Sequence, residues 1–590
     1  MRRRRIAAAS RSSSASSSAC SGGSASTANA WASARRRRRS RSPIRHAPAT
    51  SATIRSLSPK DAPLYGRPPP GQRPAAPALD PRHSAPTIPP MHKPPARNRL
   101  EQRLAAVVRV HTISEPPDYE QPWHSRGSEA STGSGAIVET ARGPRILTNA
   151  HCVQDHVWVE VRRYGQAERV PATVEALGHD CDLALLDVDD PHFFDAVQPI
   201  PLGPLPRLGQ RVTACGYPVG GERLSISEGI VSRIEVIHYV HRRQRLLGIQ
   251  VDAAINAGSS GGPVLRDGQL IGVAMQTLDD AQRTGYLIPT PVIEHFLRDV
   301  GRDEHRGFPE LGVQWQPLES PTHREALGLA PEERRGILIN RVGYGGSGWG
   351  RLEPGDVLLA IDGEPIAADG TIAFRDDDRL DFDHLLTRRH VGETVELELW
   401  RDAQPVRLRL PLRPPAHLVA EERYDVKPSY FIFGGMVFAP LTRNYLKTWG
   451  EQWWREAPRE LVALYEHGLP SPERTEPVVL QQVLADASTR GYHDLDSVLI
   501  EAVDGTACRS LRHLVELVES ATGRFVRLRA WDHREIVIDR HEARKRHAAI
   551  LERFEIPADR SPDLRGTDAP VAAPAPPDSV HRRPGAAARP

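Results

Sequence analysis

A chain of 590 residues, 39% apolar and 26% charged, is long enough for three to four domains with sizeable cores. It contains no run of eighteen apolar residues, so the sequence offers no membrane-crossing helix. Its net charge of +3 conceals an asymmetry: residues 1–60 hold thirteen arginines and no Asp or Glu, which leaves the remainder acidic by roughly ten charges.

The start, Met1-Arg2-Arg3-Arg4-Arg5, opens like a signal peptide, but Ile6-Ala7-Ala8-Ala9-Ser10 is too short and too weakly apolar for its core. An Arg-, Ser- and Ala-rich, acid-free segment has the composition of an organellar transit peptide, plastid or mitochondrial. Arg35 to Arg39 with Arg41 also fits a nuclear address or a nucleic-acid-binding arm. A mis-assigned start in a bacterial soluble protein would leave the same string. Transit peptide or artefact is the favoured reading, and no nucleic-acid partner is expected. Residues 43–98, rich in Pro and Ala, read as a disordered linker, so residues 1–100 form no domain. Cysteines at 20, 152, 181, 215 and 508 make no metal-ligand spacing and no even set. They read as reduced, with no metal expected; Cys152 and Cys181 read as small buried thiols.

From Arg103 onward, strand-length apolar runs punctuated by Gly and Pro turns follow one another: Val157–Val161, Leu183–Val188, Arg211–Cys215, Gly229–Val236, Leu247–Val251 and Leu270–Met275. Many short strands in one stretch of this size predict a pair of β-barrels rather than an α/β fold. Pro291 to Val300 predicts a closing helix. Three turns in this stretch carry chemistry. His151 follows a strand-like run in Leu147-Thr148-Asn149-Ala150-His151, and Asp182 stands at the mouth of another in Asp182-Leu183-Ala184-Leu185. Ser260 lies in Ile255-Asn256-Ala257-Gly258-Ser259-Ser260-Gly261-Gly262-Pro263, a loop too glycine-rich for helix or strand. A serine hydroxyl is inert at its free pKa. It needs a neutral imidazole to take its proton and a carboxylate to orient and stabilise that imidazole.

These three blocks, together with Gly216-Tyr217-Pro218 and Gly285-Tyr286-Leu287-Ile288-Pro289, resemble the HtrA/Deg serine proteases over residues 105–300, in that family's order. The resemblance implies a chymotrypsin-like domain at 103–302 with His151, Asp182 and Ser260 as the triad. The Gly-x-Ser-Gly-Gly frame selects Ser260 over Ser259. The backbone N–H groups of Gly258 and Ser260 would form the oxyanion hole. Ala254 and Ile255, six and five residues before the serine, would line an uncharged specificity pocket, which suits small or medium aliphatic side chains.

Leu311-Gly312-Val313, Gly336 to Val342 and Leu352-Glu353-Pro354-Gly355-Asp356-Val357 through Gly363 resemble a PDZ domain at 306–414. Leu311, Gly312 and Val313 would be the loop that holds a peptide's C-terminal carboxylate, although the glycine also fits a plain turn. Tyr430 to Thr442 is similar to the opening of a second PDZ-like module in the plant-type Deg subgroup, here 425–548. That module is expected to serve assembly more than peptide capture. Trp449, Trp453 and Trp454 in its insertion are expected as core or subunit contacts, and residues 557–590 as a disordered tail. The fold expected is thus an all-β double barrel followed by two α/β PDZ-type domains.

The resemblance implies an ATP-independent serine endopeptidase of protein quality control, acting on unfolded or damaged proteins as a homotrimer or a multiple of one. No Gly-x-x-x-x-Gly-Lys-[Ser/Thr] loop and no cofactor motif is present. The alternative is a proteolytically resting binding protein of the same fold.

Overall fold

In the computed structural model the residues described are 95–565, apart from 191, 196, 240, 276–284, 303–304 and 376–377. The Arg-rich start, most of the Pro-rich linker and the last 25 residues lie outside them. A helix α1 (Pro95–Leu104) ends the linker and leads into the first barrel, where the side chain of Arg103 donates to the carbonyl of Pro199.

Strands β1 (Val107–Ser114), β2 (Glu129–Thr140), β3 (Gly143–Thr148), β4 (His156–Arg163), β5 (Val170–Gly178) and β6 (Leu183–Val188) close into one barrel in the order β1-β2-β3-β6-β5-β4. Strands β7 (Arg211–Gly216), β8 (Ser225–His238), β9 (Arg245–Val251), β10 (Pro263–Arg266), β11 (Gln269–Met275) and β12 (Gly285–Pro289) close into a second in the order β10-β11-β12-β9-β8-β7. Closure leaves no unpaired edge. Ile137, Ile146, Leu147, Leu183 and Leu185 fill the first barrel; Val212, Val231, Ile249, Val251, Val264 and Leu287 fill the second. Helix α2 (Thr290–Val300) follows. Its Pro291 sits where a helix has no N–H partner to lose, and Val292, Ile293, Phe296 and Val300 are buried.

The next module is an antiparallel sheet of segments 313–317, 337–342, 357–361, 394–401 and 404–411. The Pro-Gly-Asp turn places Asp356 in the interior, where Arg401 grips both its oxygens. Asp362 (φ +50°) and Gly363 (φ +81°) are the two left-handed residues a tight hairpin needs. The last module is a sheet of segments from Phe431–Phe433 to Glu535–Asp539, covered by helices Leu511–Ser520 and Arg540–Arg553. It runs further than expected. Ile432 N–H donates to Asp559 O, and Ser561 bonds both ways with Tyr430, so residues up to 565 belong to it and 557–565 are not tail.

Of the three insertion tryptophans, Trp449 and Trp453 are core, packed with Tyr119 of the first barrel; Trp454 is exposed. The link is reinforced where Gln482 donates to the carbonyl of Glu120 and Trp123 meets the ring of Tyr430 edge-on at 5.7 Å. Thus the final module is held against the β1–β2 connection.

Candidate active site

Strands β3 and β6 are neighbours, with Thr148 opposite Ala184, and this brings the turn after one against the turn before the other. His151 lies in the single helical turn Ala150–Cys152. Asp182 adopts φ +54°, a left-handed conformation that Asp tolerates better than most residues, and is 1% exposed. Asp182 Oδ2 lies 2.8 Å from His151 Nδ1, and Oδ1 accepts the His151 backbone N–H at 3.0 Å. The Asn149 side chain donates to the Asp182 carbonyl at 2.8 Å. Imidazole and carboxylate are therefore locked together, with Nε2 as the free ring nitrogen. Burial alone would lower the His151 pKa; the charge of Asp182 outweighs it and holds the pKa well above the ordinary value. Burial would raise the Asp182 pKa, and the attraction of His151 brings it below the ordinary value.

Ser260 comes from the second barrel, just before β10, and is 6% exposed. Its carbonyl accepts the Ser134 N–H at 2.8 Å and the Cys152 thiol at 3.7 Å, so it abuts the residue next to His151. Among the described residues no hydrogen bond joins Ser260 Oγ to His151 Nε2; such bonds commonly tighten only when substrate binds.

The loop before Ser260 is held by its carbonyls. Ala257 O accepts Val219 N–H at 2.7 Å, and Ser259 O accepts Gly262 N–H at 2.9 Å. In a trans peptide the N–H points opposite the C=O. Pinning those two carbonyls therefore fixes where the amides of Gly258 and Ser260 point, and neither amide has a partner among the described residues. Ser134, fully buried, supports the same loop. Its Oγ donates to Gly258 O and accepts Tyr217 N–H, each at 2.8 Å. Gly261 has φ +82°, and a Cβ there would stand 2.1 Å from the Ser134 carbonyl, so no other residue fits.

A buried carboxylate–imidazole pair beside a serine with two unpartnered amides is the outline of an acyl-transfer site, and the comparisons with known proteins agree. The trypsin-like peptidase domain family matches residues 133–273, and a PDZ domain family matches 419–563. "Protease Do-like 4, mitochondrial" of Arabidopsis thaliana is 36% identical over 460 residues, 78% of this chain and 85% of the relative. "Protease Do-like 2, chloroplastic" of the same plant is 36% identical over 474 residues, covering 80% and 77%. The solved "HtrA-type protease AlgW with decapeptide" shares 25% identity over 54% of this chain and 99% of its own, with a TM-score of 0.42.

The chain belongs to the Do-like (Deg/HtrA) serine protease family.

The other expected site residues of this Do-like protease fall in different surroundings. Ile255 is buried in the second barrel core against Gly285, where an added Cβ would meet its Cδ1 at 2.5 Å. Ala254 is exposed, and its carbonyl accepts the Ser227 hydroxyl at 2.8 Å. In the module of segments 313–411 Leu311 is buried and Gly312 has φ +71°. The carbonyls of both are taken, Leu311 O by Gly348 N–H and Gly312 O by Gly343 N–H. Segment 467–470 of the last module runs alongside: Gln314 and Arg341 donate to His467 O, and Tyr344 N–H donates to Pro470 O.

Sequence reading missed a second group behind the His151–Asp182 pair. His241, from the β8–β9 hairpin, is buried with its ring 6.1 Å from that of His151. His179 Nδ1 lies 3.0 Å from His241 Nε2, and Tyr424 stacks on His241 at 4.2 Å and 12°. The Tyr424 hydroxyl lies 3.0 Å from the His241 carbonyl and 2.6 Å from Glu422 Oε2. His179 Nε2 bonds the Asp425 carboxylate, and Asp425 and Asp155 each donate a backbone N–H to the other's Oδ1 at 2.7 Å. Burial pushes the His241 pKa down to about 3, against the opposing pull of Asp182. Tyr424 and Asp425 lie ahead of strand Phe431–Phe433, at the start of the matched PDZ segment, where nothing in the sequence pattern singles them out.

Proposed function

We propose that this protein is an ATP-independent serine endopeptidase that cuts unfolded or damaged proteins through an acyl-enzyme. His151 Nε2 takes the proton from Ser260 Oγ as that oxygen attacks the scissile carbonyl; Asp182 stabilises the imidazolium. The tetrahedral oxyanion is received by the N–H groups of Gly258 and Ser260. His151 then passes the proton to the leaving amine, and water repeats the sequence to release the acyl group. The observation that carries this reading is the two-point grip of Asp182 on His151, which leaves one ring nitrogen free to act as base.

The uncharged Ala254–Ile255 stretch supports a preference for small aliphatic side chains before the cut. The left-handed Gly312 supports carboxylate capture at Leu311-Gly312-Val313. The organellar names of the plant relatives, with the acid-free Arg-rich start, support an organellar site of action. Assembly as a homotrimer or a multiple of one follows from the family likeness.

The purified chain should degrade casein without ATP, and Ser260→Ala should abolish cutting while Ser259→Ala keeps most of it. Equal cutting by wild type and Ser260→Ala would refute the assignment. A resting binding protein is the second reading, supported by the open Ser260–His151 contact. It predicts casein binding without cleavage by the wild-type chain.

A further inference from the structure

Two aspartates in left-handed backbone face each other across a module boundary. Asp155 (φ +50°) lies four residues after His151. Asp425 (φ +58°) lies near the start of the matched PDZ segment, ahead of strand Phe431–Phe433. Residues other than Gly rarely hold that conformation, and Asp does so when its side chain finds a hydrogen-bond partner close by. Here the partner comes from far away in the chain. The Asp155 N–H donates to Asp425 Oδ1 and the Asp425 N–H donates to Asp155 Oδ1, each at 2.7 Å. The second oxygen, Asp425 Oδ2, lies 2.8 Å from His179 Nε2, and His179 is three residues before Asp182. One side chain of the last module therefore ties the turn that carries His151 to the turn that carries Asp182.

We propose that Asp425, backed by Tyr424, is a positioning residue for His151 and Asp182. It holds the two turns at the separation the Asp182–His151 bonds require, so full activity depends on the last module being docked. The inference rests on the reading of that pair as the base of an acyl-transfer site.

Within the barrel the two turns have little else between them. Among the described residues, every hydrogen bond from segment 149–156 to segment 178–183 involves Asp182 itself. Asp425 supplies the link that does not. Burial would raise its pKa, and the bond and charge of His179 bring it below the ordinary value, so the carboxylate is charged.

Tyr424 secures the other side of His179. Its ring stacks on His241 at 4.2 Å and 12°, its hydroxyl lies 3.0 Å from the His241 carbonyl, and His241 Nε2 lies 3.0 Å from His179 Nδ1. Both ring nitrogens of His179 are thus held, one by Asp425 and one by His241. The Tyr424 hydroxyl also lies 2.6 Å from Glu422 Oε2. Glu422 is 3% exposed and pairs with Lys447 and Arg443, so the segment is anchored in the last module. Docking alone is served elsewhere. Tyr119 packs with Trp449 and Trp453, and Gln482 donates to the Glu120 carbonyl; these contacts reach neither catalytic turn.

The test compares the full-length chain with two variants. Asp425→Gly removes the carboxylate and keeps the left-handed backbone without strain. Asp425→Asn still accepts the Asp155 N–H. On casein, Asp425→Gly should lose at least about fivefold in kcat with KM within about twofold, and Asp425→Asn should regain at least about half of the parent's kcat. The Asp182 charge raises the His151 pKa against burial; Cys152 and His241 also face that ring, and His241 is neutral there. A looser pair raises it less, so the kcat/KM midpoint should fall toward about 6.5 in Asp425→Gly and return in Asp425→Asn. A tie that only steadies the fold would lower the melting temperature and leave the midpoint in place, which would overturn the proposal. On the Ser260→Ala background, hydrogen exchange in Asp425→Gly should rise in residues 150–156 and 178–183 together, a readout that needs no turnover. A rise confined to residues 413–430 would overturn the proposal as well. If the parent does not cut casein, the acyl-transfer reading fails, and the exchange result still decides whether Asp425 holds the two turns.

Discussion

Ser134→Ala tests how the catalytic loop is held. The Ser134 hydroxyl joins Gly258 O to Tyr217 N–H, with both bonds at 2.8 Å and the side chain fully buried. Removing it strands one carbonyl and one amide where water cannot replace the lost partner. Each stranded buried group costs about 1–3 kcal/mol, so the variant should lose about 2–6 kcal/mol. For a domain near 200 residues, at about 2–4 °C per kcal/mol, that lowers the melting temperature of the protease transition by at least roughly 4 °C. The kinetic effect should be separable. The Gly258 amide keeps its anchor at Ala257 O, but the following peptide loses its own, so the geometry of the proposed oxyanion donors, each worth about a hundredfold or more in kcat, loosens. A partial loss, at least tenfold in kcat with KM nearly unchanged, is the expected result below the variant's melting temperature. The assays are calorimetry on the Ser260→Ala background and turnover of an unfolded substrate on the active chain. A variant that melts and turns over like the parent would show that the loop does not depend on this bridge.

Three further outcomes follow from the geometry. The proposed mechanism needs neutral His151, whose pKa Asp182 raises against burial, so kcat/KM should rise with pH through a midpoint above about 6.5; a midpoint below that value contradicts the pairing. His241, with its pKa lowered to about 3, and His111 and His384, lowered to about 4, are neutral in the fold chiefly because they are buried. The unfolded chain takes up their protons near pH 6.5 and the folded chain does not, so their contribution is present above 6.5 and lost as pH falls toward 4; a melting temperature flat across that window would refute it. Tyr424→Ala removes the ring stacked on His241 and should cost about 2–4 kcal/mol. Hydrogen exchange should rise in residues 413–430 and in the β8–β9 hairpin together, and exchange confined to one of them would deny the coupling.

The residues proposed for the chemistry could be picked out in the sequence because their surroundings are local. A glycine frame around Ser260, a strand leading into His151 and Asp182 heading another strand are each set by a few adjacent residues. Each must have the right turn chemistry to fold at all. The barrel strands could be read for the same reason, since apolar runs bounded by Gly and Pro report strand length directly. Pairing is another matter. That β3 lies beside β6, so that Asp182 reaches both the ring and the amide of His151, depends on barrel closure and not on any local signal.

Contacts between modules were not legible at all. Tyr424 on His241, Gln482 on the Glu120 carbonyl and His390 on Asp299 join residues 90 or more positions apart. A lone Tyr or His in a connecting segment carries no periodicity, and its partner is set by how the modules dock. The end of the last module was misplaced for that reason, because residues 557–565 are Pro- and Arg-rich yet hydrogen-bond to strand 431–433. Sequence alone determined where the strands lie and marked the residues proposed for the chemistry, since both follow from short-range sterics and spacing. Only the tertiary structure decided what stands behind the His151–Asp182 pair and which buried histidines share one carboxylate, since burial and charge contact arise only once distant segments exclude water together.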